Sequence, residues 1–328
     1  MNKSSHIFKT ISTFGLLFCA LTFSTCLKES FYDCPESIRV YFSFDNRTGE
    51  DQSKNIDQMN LYVFDSNGFF LYEYRDNSVN FNNEYYIDCS DLYPGKFRFI
   101  AWAGKNENSY TTNPEIFVRN KTTFQEAFLM LNHTNDDYVY VSEVIHPLFY
   151  SVLPATVTKI KEQYFEMPLE LMTNTINIST IGLPSDNNEY LFEIDDDDDS
   201  YQFDGSIGSS EMKGLNGGEV RYVSPCRKNE MNQIRSSINI LRLSMNRNSP
   251  QMQIYNKATG DPLYPYNGQT CSLIDLIKRA NPDIDFENTY TYDIVLNFGG
   301  GSGGDGNDGL SITINGWEVR EQEDNLYD

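Results

Sequence analysis

Residues 59–64 (MNLYVF) and 69–74 (FFLYEY) are two apolar runs, and residues 65–68 (DSNG) join them. An Asn-Gly pair between apolar runs is a strong signal for a β-hairpin, because both residue types tolerate positive φ. The runs are rich in aromatic side chains, which suit the pleated surface of a strand. This stretch therefore predicts two antiparallel strands joined by a tight turn.

Strand-like segments extend from this hairpin in both directions along the chain. Upstream, Ile38, Val40, Phe42 and Phe44 alternate with more polar residues, which predicts a half-buried strand. Downstream, further strands are predicted at residues 96–104, 165–171, 174–181, 238–243, 290–298 and 310–319. Many short strands with few helices between them favour an all-β fold.

Two short helices are predicted within this all-β pattern. Thr123 and Glu126 fit a capping box ahead of the apolar residues 127–130. Residues 272–279 place their apolar side chains on one helical face, and residues 281–282 (NP) end the segment.

The chain is long enough for about two domains, since its length is 328 residues. Pro147, Pro154 and the polar stretch 156–163 mark a seam between two strand-rich halves. We therefore expect two tandem β-sandwich domains, at residues 26–162 and 163–328, following an N-terminal segment at residues 1–25.

The N-terminal segment has the pattern of a secretory signal. Lys3 and Lys9 precede the apolar run 14–23, which is shorter than the roughly 20 residues that a spanning helix needs. The run ends at Ser24-Thr25-Cys26, which is similar to a bacterial lipobox, so Cys26 is the predicted site of lipidation. The alternative is ordinary cleavage near Thr25, with Cys26 left free or paired.

The charge balance argues against a nucleic-acid partner. The chain has 47 acidic and 25 basic side chains and a formal net charge of −22, so it is poor in the basic residues that bind phosphates. Three histidines leave few candidates for His-dependent catalysis, and none lies in a recognisable nucleophile motif. The sequence predicts no catalytic residue.

Four cysteines remain beyond Cys26, namely Cys34, Cys89, Cys226 and Cys271. An even number in an exported chain is typical of disulfides, and the simplest pairing is Cys34–Cys89 with Cys226–Cys271. Free buried thiols are the alternative. The spacing matches no zinc motif.

The glycine-rich stretch 299–309 (GGGSGGDGNDG) matches three motifs by letter alone. It fits GxGxxG and GxSxG, but a strand follows where both sites need a helix. It also fits one copy of a calcium-binding nonapeptide that works only in tandem. We interpret it as a hairpin loop, and no cofactor or metal site is predicted.

Glu193 and the run Asp195–Asp199 form a conspicuous acidic cluster. The run fails the EF-hand pattern, because Ser200 and Ser206 occupy the Gly and Glu positions. We expect a solvated, self-repelling loop, with adventitious divalent-ion binding as the alternative.

Several short motifs follow one another in a characteristic order: Cys26, Asp33-Cys34-Pro35, residues 61–65 with the turn Asn67-Gly68, residues 94–97 and 101–104, residues 273–277, and residues 314–317. This order resembles the lipoprotein fimbrial-anchor family of Bacteroides-type bacteria, the FimB-like anchor subunits. The resemblance spans nearly the whole chain.

The resemblance implies a non-enzymatic structural protein with two transthyretin-like β-sandwich domains. Such anchors sit at the base of a fimbrium, and acyl chains on the N-terminal cysteine hold them at the surface of the outer membrane. They join stalk subunits by β-strand exchange, which ends the polymer and limits its length. The strand at residues 310–319 is one candidate for the exchanged strand, and the alternative is that it completes the second domain. The alternative function is a surface lipoprotein that captures glycans or host ligands through exposed Tyr and Phe.

Overall fold

The computed structural model describes residues 37–44, 51–81, 84–105, 109–132, 134–135, 139–141, 145–183, 188–208, 218–227, 229, 231, 233–247, 250–265, 270–298 and 310–319. The N-terminal segment, Cys26, Cys34 and the glycine-rich stretch 299–309 lie outside these ranges. No helix in the described part of the chain is both long and apolar enough to cross a membrane.

The described part of the chain is built almost entirely of strands. The first eleven are β1 (Ser37–Phe44), β2 (Gln58–Asp65), β3 (Phe70–Asp76), β4 (Tyr86–Asp88), β5 (Gly95–Gly104), β6 (Tyr110–Asn113), β7 (Phe128–Leu131), β8 (Thr134–Asn135), β9 (Val139–Val141), β10 (Phe149–Val157) and β11 (Glu162–Leu171). A 3₁₀-helix (Gln52–Asn55) precedes β2.

Twelve further strands and one α-helix follow. They are β12 (Thr173–Ile181), β13 (Glu189–Asp196), β14 (Ser200–Gln202), β15 (Ile207–Gly208), β16 (Val220–Arg227), β17 (Arg235–Leu241), β18 (Gln251–Asn256), β19 (Pro262–Tyr264), β20 (Cys271–Ser272), α1 (Leu273–Ala280), β21 (Thr291–Asn297), β22 (Ser311–Ile314) and β23 (Trp317–Glu318). The prediction of an all-β fold with few helices is confirmed.

The predicted hairpin forms one edge of the first sheet, whose strand order is β3-β2-β5-β10-β11-β1-β4. Gly68 adopts a φ of 89° in the turn between β2 and β3. The Asp65 carboxylate accepts hydrogen bonds from the backbone N–H groups of Asn67 and Phe69 at 2.9 and 2.8 Å. The turn signal in the sequence therefore corresponds to a hydrogen-bonded turn that fixes the register of the two strands.

One face of this sheet encloses the first core. Val40, Leu61, Phe99 and Met167 have no exposed surface there. Phe99 of β5 packs edge to face on Phe165 of β11, with ring centroids 5.6 Å apart, although the two strands are not neighbours in the sheet. The sheet therefore curves around its own core as a sandwich, and each fully buried side chain stabilises it by about 1.5–3 kcal/mol.

The other strands form three further sheets of five, seven and four strands. Their orders are β17-β12-β21-β22-β23, β19-β18-β13-β16-β9-β8 with β20 paired to β18, and β15-β14-β7-β6. The predicted helix at residues 272–279 is confirmed as α1. The Ser272 hydroxyl caps it by accepting from the backbone N–H of Asp275 at 3.2 Å. Its apolar face is buried at Leu273, Leu276 and Ile277.

The helix predicted around residues 127–130 is wrong. The capping interaction exists, since the Thr123 backbone N–H donates to the Glu126 carboxylate at 3.3 Å. The chain forms only a turn there and continues as β7, which pairs with both β6 and β14. Two neighbouring strands offer this segment a complete set of backbone partners, and that tertiary pairing overrides the local helix signal.

The boundary predicted between residues 162 and 163 does not separate the sheets. β11 runs parallel to β1 and antiparallel to β10, so residues 163–171 belong to the first sheet. Conversely, β7 pairs with β14 and β9 pairs with β16, so strands from before residue 162 complete sheets of the second half.

The two halves share one hydrophobic core on the outer face of the first sheet. Tyr62 and Trp102 point from that face onto Phe203 and Tyr201, with ring centroids 5.0 and 5.8 Å apart. The Tyr150 hydroxyl donates to the backbone carbonyl of Phe203 at 3.2 Å. Buried aromatic packing therefore holds the two halves together.

A substitution at Gly205 tests the contact between the two halves, because Gly205 lies in the turn that packs against Tyr150. Its φ is 87°, and a Cβ there would lie 2.6 Å from Cε1 of Tyr150. Gly260 has a similar φ of 75° but nothing within 4 Å of a built Cβ. We expect Gly205→Ala to lower the free energy of unfolding by about 2 kcal/mol more than Gly260→Ala, measured by urea titration, because only the first overpacks a contact. Equal losses would contradict this account.

Candidate functional site

The C-terminal strand that the sequence singled out completes the sheet of its own chain. β22 pairs antiparallel with β21 from Ile294↔Ile314 to Asn297↔Ser311. Asn315 and Gly316, at φ 49° and 80°, form the tight turn into β23. The Asn315 side chain also accepts from the backbone N–H of Asp293 at 2.7 Å. The turn is therefore anchored to β21 by both backbone and side chain.

β23 is the outermost strand of this sheet, and within the described residues it pairs with β22 alone. Such an edge presents unpaired backbone N–H and C=O groups and is a template for a strand from another chain. Trp317 on β23 is 59% exposed. Exposed tryptophan is unusual on a surface and common at the centre of protein interfaces. This edge is therefore the candidate site for a protein partner.

The acidic cluster is not the solvated loop that the sequence predicted, and that prediction is wrong. Glu193, Asp196 and Asp199 are only 1%, 2% and 0% exposed. Glu193 accepts from Gln253 Nε2 at 2.6 Å and from the Tyr255 hydroxyl at 2.8 Å. Glu193 and Asp196 are buried because β13 carries them into the middle of a sheet, where neighbouring strands supply donors. Asp199 lies between β13 and β14.

Two arginines pair with four of the six carboxylates of the cluster. Arg221 Nε lies 3.2 Å from Glu193 Oε1 and 2.5 Å from Asp195 Oδ1. Arg247, which is 5% exposed, pairs with Asp196 and lies 3.0 Å from Asp198. Burial raises the pKa of the Asp198 carboxyl, while the Arg247 guanidinium opposes that rise.

The arginines make the cluster a structural element of the fold. Within the described ranges, no group of three or more His, Cys, Asp or Glu side chains is arranged to hold a metal ion. The Arg247 guanidinium also donates to the backbone carbonyl of Arg242 at 2.8 Å, so the ion pairs tie the loop after β17 to β13.

The predicted Cys226–Cys271 disulfide is wrong, because both residues are free thiols in the structure. Cys226 is on β16 and Cys271 is on β20, and β13 and β18 lie between these strands. Three inter-strand steps of about 4.8 Å each separate them across the sheet, and the register sets them four residues apart along it, because Cys226 is level with Asn256 and Cys271 with Met252. They are beyond the reach of a disulfide. The alternative of free thiols holds for this pair, and burial raises the pKa of the Cys226 thiol.

Cys89 is also a free thiol, fully buried, and burial raises its pKa. Its predicted partner Cys34 lies outside the described residues, as does the lipidation candidate Cys26. The Cys34–Cys89 pairing and the lipidation of Cys26 stay predictions.

Sequence reasoning missed a polar cleft of about 420 Å³ between the first sheet and the β6–β7 pair. Gln58 and Asn60 line it from β2, and Trp102 lines it from β5. The sequence does contain a signal for this cleft, because Gln58 and Asn60 lie on the same face of β2 as the buried Tyr62. Polar side chains at positions of an inward-facing strand stripe indicate a site or a hydrogen-bond network.

A family model of known proteins matches residues 31–323, and its description is "Fimbrillin-A associated anchor proteins Mfa1 and Mfa2". Among proteins with curated descriptions, none matches the chain.

Solved structures with the same fold include three from related bacteria. The fimbrial anchor protein Mfa2 from Porphyromonas gingivalis is 20% identical, with a TM-score of 0.64 over 88% of this chain and 100% of that one. A candidate polysaccharide-binding protein from Bacteroides thetaiotaomicron is 20% identical, with a TM-score of 0.67 over 89% and 99%. A candidate adhesin from Bacteroides ovatus is 16% identical, with a TM-score of 0.64 over 87% and 97%. At these identities the similarity shows the fold.

Removing one partner of a buried ion pair should lower the free energy of unfolding more than removing one partner of an exposed pair. We expect Arg247→Met to lower the free energy of unfolding by about 3–5 kcal/mol, because it leaves buried carboxylates without a counter-charge. The matched control is Lys257→Met, which removes an exposed pair with Glu189 at 3.3 Å and should cost at most about 1 kcal/mol. Urea unfolding measures both, and a loss for Arg247→Met no larger than the control would contradict the structural role.

Proposed function

The chain belongs to the family of fimbrillin-A associated anchor proteins Mfa1 and Mfa2, and we propose that it is the lipid-anchored subunit that holds the base of a fimbrium on the outer membrane. The observation that carries the proposal is the family match over residues 31–323, nearly the whole chain. Membership of this family associates the protein with the cell surface and with other fimbrial subunits, and it favours a structural role over catalysis.

The N-terminal sequence supports the anchoring step. Cys26 follows the apolar run of a secretory signal and a short stretch of small residues. Bacterial lipoproteins carry several acyl chains on such a cysteine, and each buried CH₂ contributes about 0.8 kcal/mol to membrane binding. Several chains therefore anchor the protein stably, which a fimbrial base requires.

The exposed sheet edge at β23 supports the proposal that this protein joins a stalk subunit. β22 already pairs with β21 of the same chain, so this strand is less suited to donation than the sequence suggested. We assign the edge at β23 as the acceptor, to which a strand of the first stalk subunit adds by β-augmentation. Trp317 beside this edge supplies the apolar contact that backbone hydrogen bonds alone lack.

Lipid anchoring at Cys26 and occupation of the β23 edge by a stalk subunit would together limit the length of the fimbrium. A subunit whose N-terminus is held in lipid and whose accepting edge is occupied has no further end for polymer growth. Loss of the anchor should therefore release fimbriae and remove the stop. The alternative function, capture of glycans or host ligands, involves other surfaces and is compatible with anchoring.

Lipidation is tested by Cys26→Ala in the native bacterium. We expect the protein to leave the outer-membrane fraction and fimbriae to be shed into the medium, because no acyl chain holds the base. Cys19→Ala is the matched control, since Cys19 lies inside the apolar run and should be dispensable. Fractionation and electron microscopy provide the measurement. Outer-membrane retention of the Cys26→Ala protein would refute lipid anchoring.

The joining edge is tested by Trp317→Ala with the stalk subunit of the same bacterium as the probe. We expect at least a tenfold loss of affinity for that subunit, because truncating a central interface tryptophan costs about 2 kcal/mol or more. Tyr93→Ala is the control, since Tyr93 is a 67% exposed aromatic side chain on the first half. Equal binding by both variants would reject the β23 edge and leave the lipidation result unaffected.

A further inference from the structure

The polar cleft of about 420 Å³ has the size of a small-molecule site, since such clefts measure about 300–1,000 Å³. It lies between the first sheet and the β6–β7 pair, far along the chain from the β23 edge. One wall comes from β2 and β3 of the first sheet, and the other comes from β6. The floor consists of large buried side chains, including Trp102.

The first wall presents amide groups whose hydrogen-bonding capacity is only partly used. Asn60 Oδ1 accepts from Arg75 Nε at 3.0 Å and from Gln58 Nε2 at 3.4 Å. Across the described residues, Asn60 Nδ2 and Gln58 Oε1 have no partner. The existing bonds hold both amides in place and leave one donor and one acceptor available.

The opposite wall and the floor add further groups of the same kind. Thr111 and Thr112 of β6 line the cleft, and neither hydroxyl has a hydrogen-bond partner in the described part of the chain. Trp102 is 2% exposed, and its Nε1–H is buried without a partner among the described residues. An unpaired buried donor destabilises the folded state, so such groups are rare in proteins and call for an explanation.

The cations that line the cleft already have partners. Arg75 Nη2 lies 2.8 Å from Glu73 Oε1, and Lys105 Nζ donates to the backbone carbonyl of Lys54 at 2.7 Å. An anion would have to compete with these partners. The lining also holds the Glu115 carboxylate, which has no ion pair among the described residues and repels anions. The other available groups are neutral amides and hydroxyls, which donate and accept in the way that sugar hydroxyls do.

We propose that this cleft binds a neutral saccharide, held between the amides of Gln58 and Asn60 and the hydroxyls of Thr111 and Thr112. The cleft volume suits a short oligosaccharide or the end of a longer glycan. This binding is independent of the anchoring role, because the site shares no residue with Cys26 or with the β23 edge. The protein would then both hold the fimbrial base and contact glycan at the cell surface.

The fluorescence of Trp102 reports binding in the cleft. The chain has two tryptophans, so a Trp317→Phe protein reports through Trp102 alone. The purified lipoprotein, held in a detergent without a sugar headgroup, is titrated with cellobiose, maltose, lactose and chitobiose up to millimolar concentrations. Sialyllactose and tetra-alanine serve as the acidic and peptide probes. We expect a saturable change of tryptophan emission with at least one neutral disaccharide and a weaker response to the other two probes.

Two independent substitutions locate the binding. Asn60→Ala and Thr112→Val change opposite walls, and each should lower the affinity for the responding disaccharide at least tenfold. Asn177→Ala is the matched control, because Asn177 on β12 bonds Asp293 outside the cleft and should change affinity less than twofold. Thermal unfolding shows whether each variant is folded, and Thr112→Val carries the test if Asn60→Ala is not.

Three results would overturn the proposal. They are no saturable change with any disaccharide, unchanged affinity in the folded wall variants, or tighter binding of sialyllactose or tetra-alanine than of every neutral disaccharide. None of these results bears on membrane retention or on capture of the stalk subunit.

Discussion

The aromatic face of the first sheet is the contact on which the rest of the structure depends. Tyr62, Trp102 and Tyr150 on that face meet Tyr201 and Phe203 of the second half in one buried cluster. Aromatic side chains bury a large area, and their offset or edge-on packing adds specific geometry. Without this contact the sheets of the second half would lose one side of their core.

The shared core determines how an anchor protein would carry a mechanical load. Under the proposed function, lipid holds the chain at Cys26, ahead of β1, and the stalk joins at β23 near the other end. Any pull on the fimbrium then passes through the interface between the halves. Two domains joined only by a linker would separate under such a load, whereas exchanged strands and a common apolar core must unfold together. The strand pairings of β7 with β14 and of β9 with β16 supply that exchange.

Local sequence signals succeeded where the deciding interactions are local. The turn at Gly68 and the cap at Ser272 depend on residues within a few positions of each other, and both predictions are confirmed. The capping box at Thr123 is equally local and does form, yet the following segment is a strand. The acidic run and the Cys226–Cys271 pair failed for a related reason. Which side chains come close across a sheet depends on strand order, and one sequence read alone does not contain that order.

The amino-acid sequence by itself determined the all-β class, the tight turns, the α-helix at residues 273–280, the secretory pattern at the N-terminus and the family resemblance. These depend on composition, short-range periodicity and the order of motifs, all of which are visible along the chain. Only the tertiary structure decided that β11 completes the first sheet, that Arg221 and Arg247 pair with carboxylates of the acidic cluster, and that Asn60 faces a cleft opposite Thr112. Each of these joins residues far apart in sequence, and the free energy that selects them comes from burying whole sheet faces together.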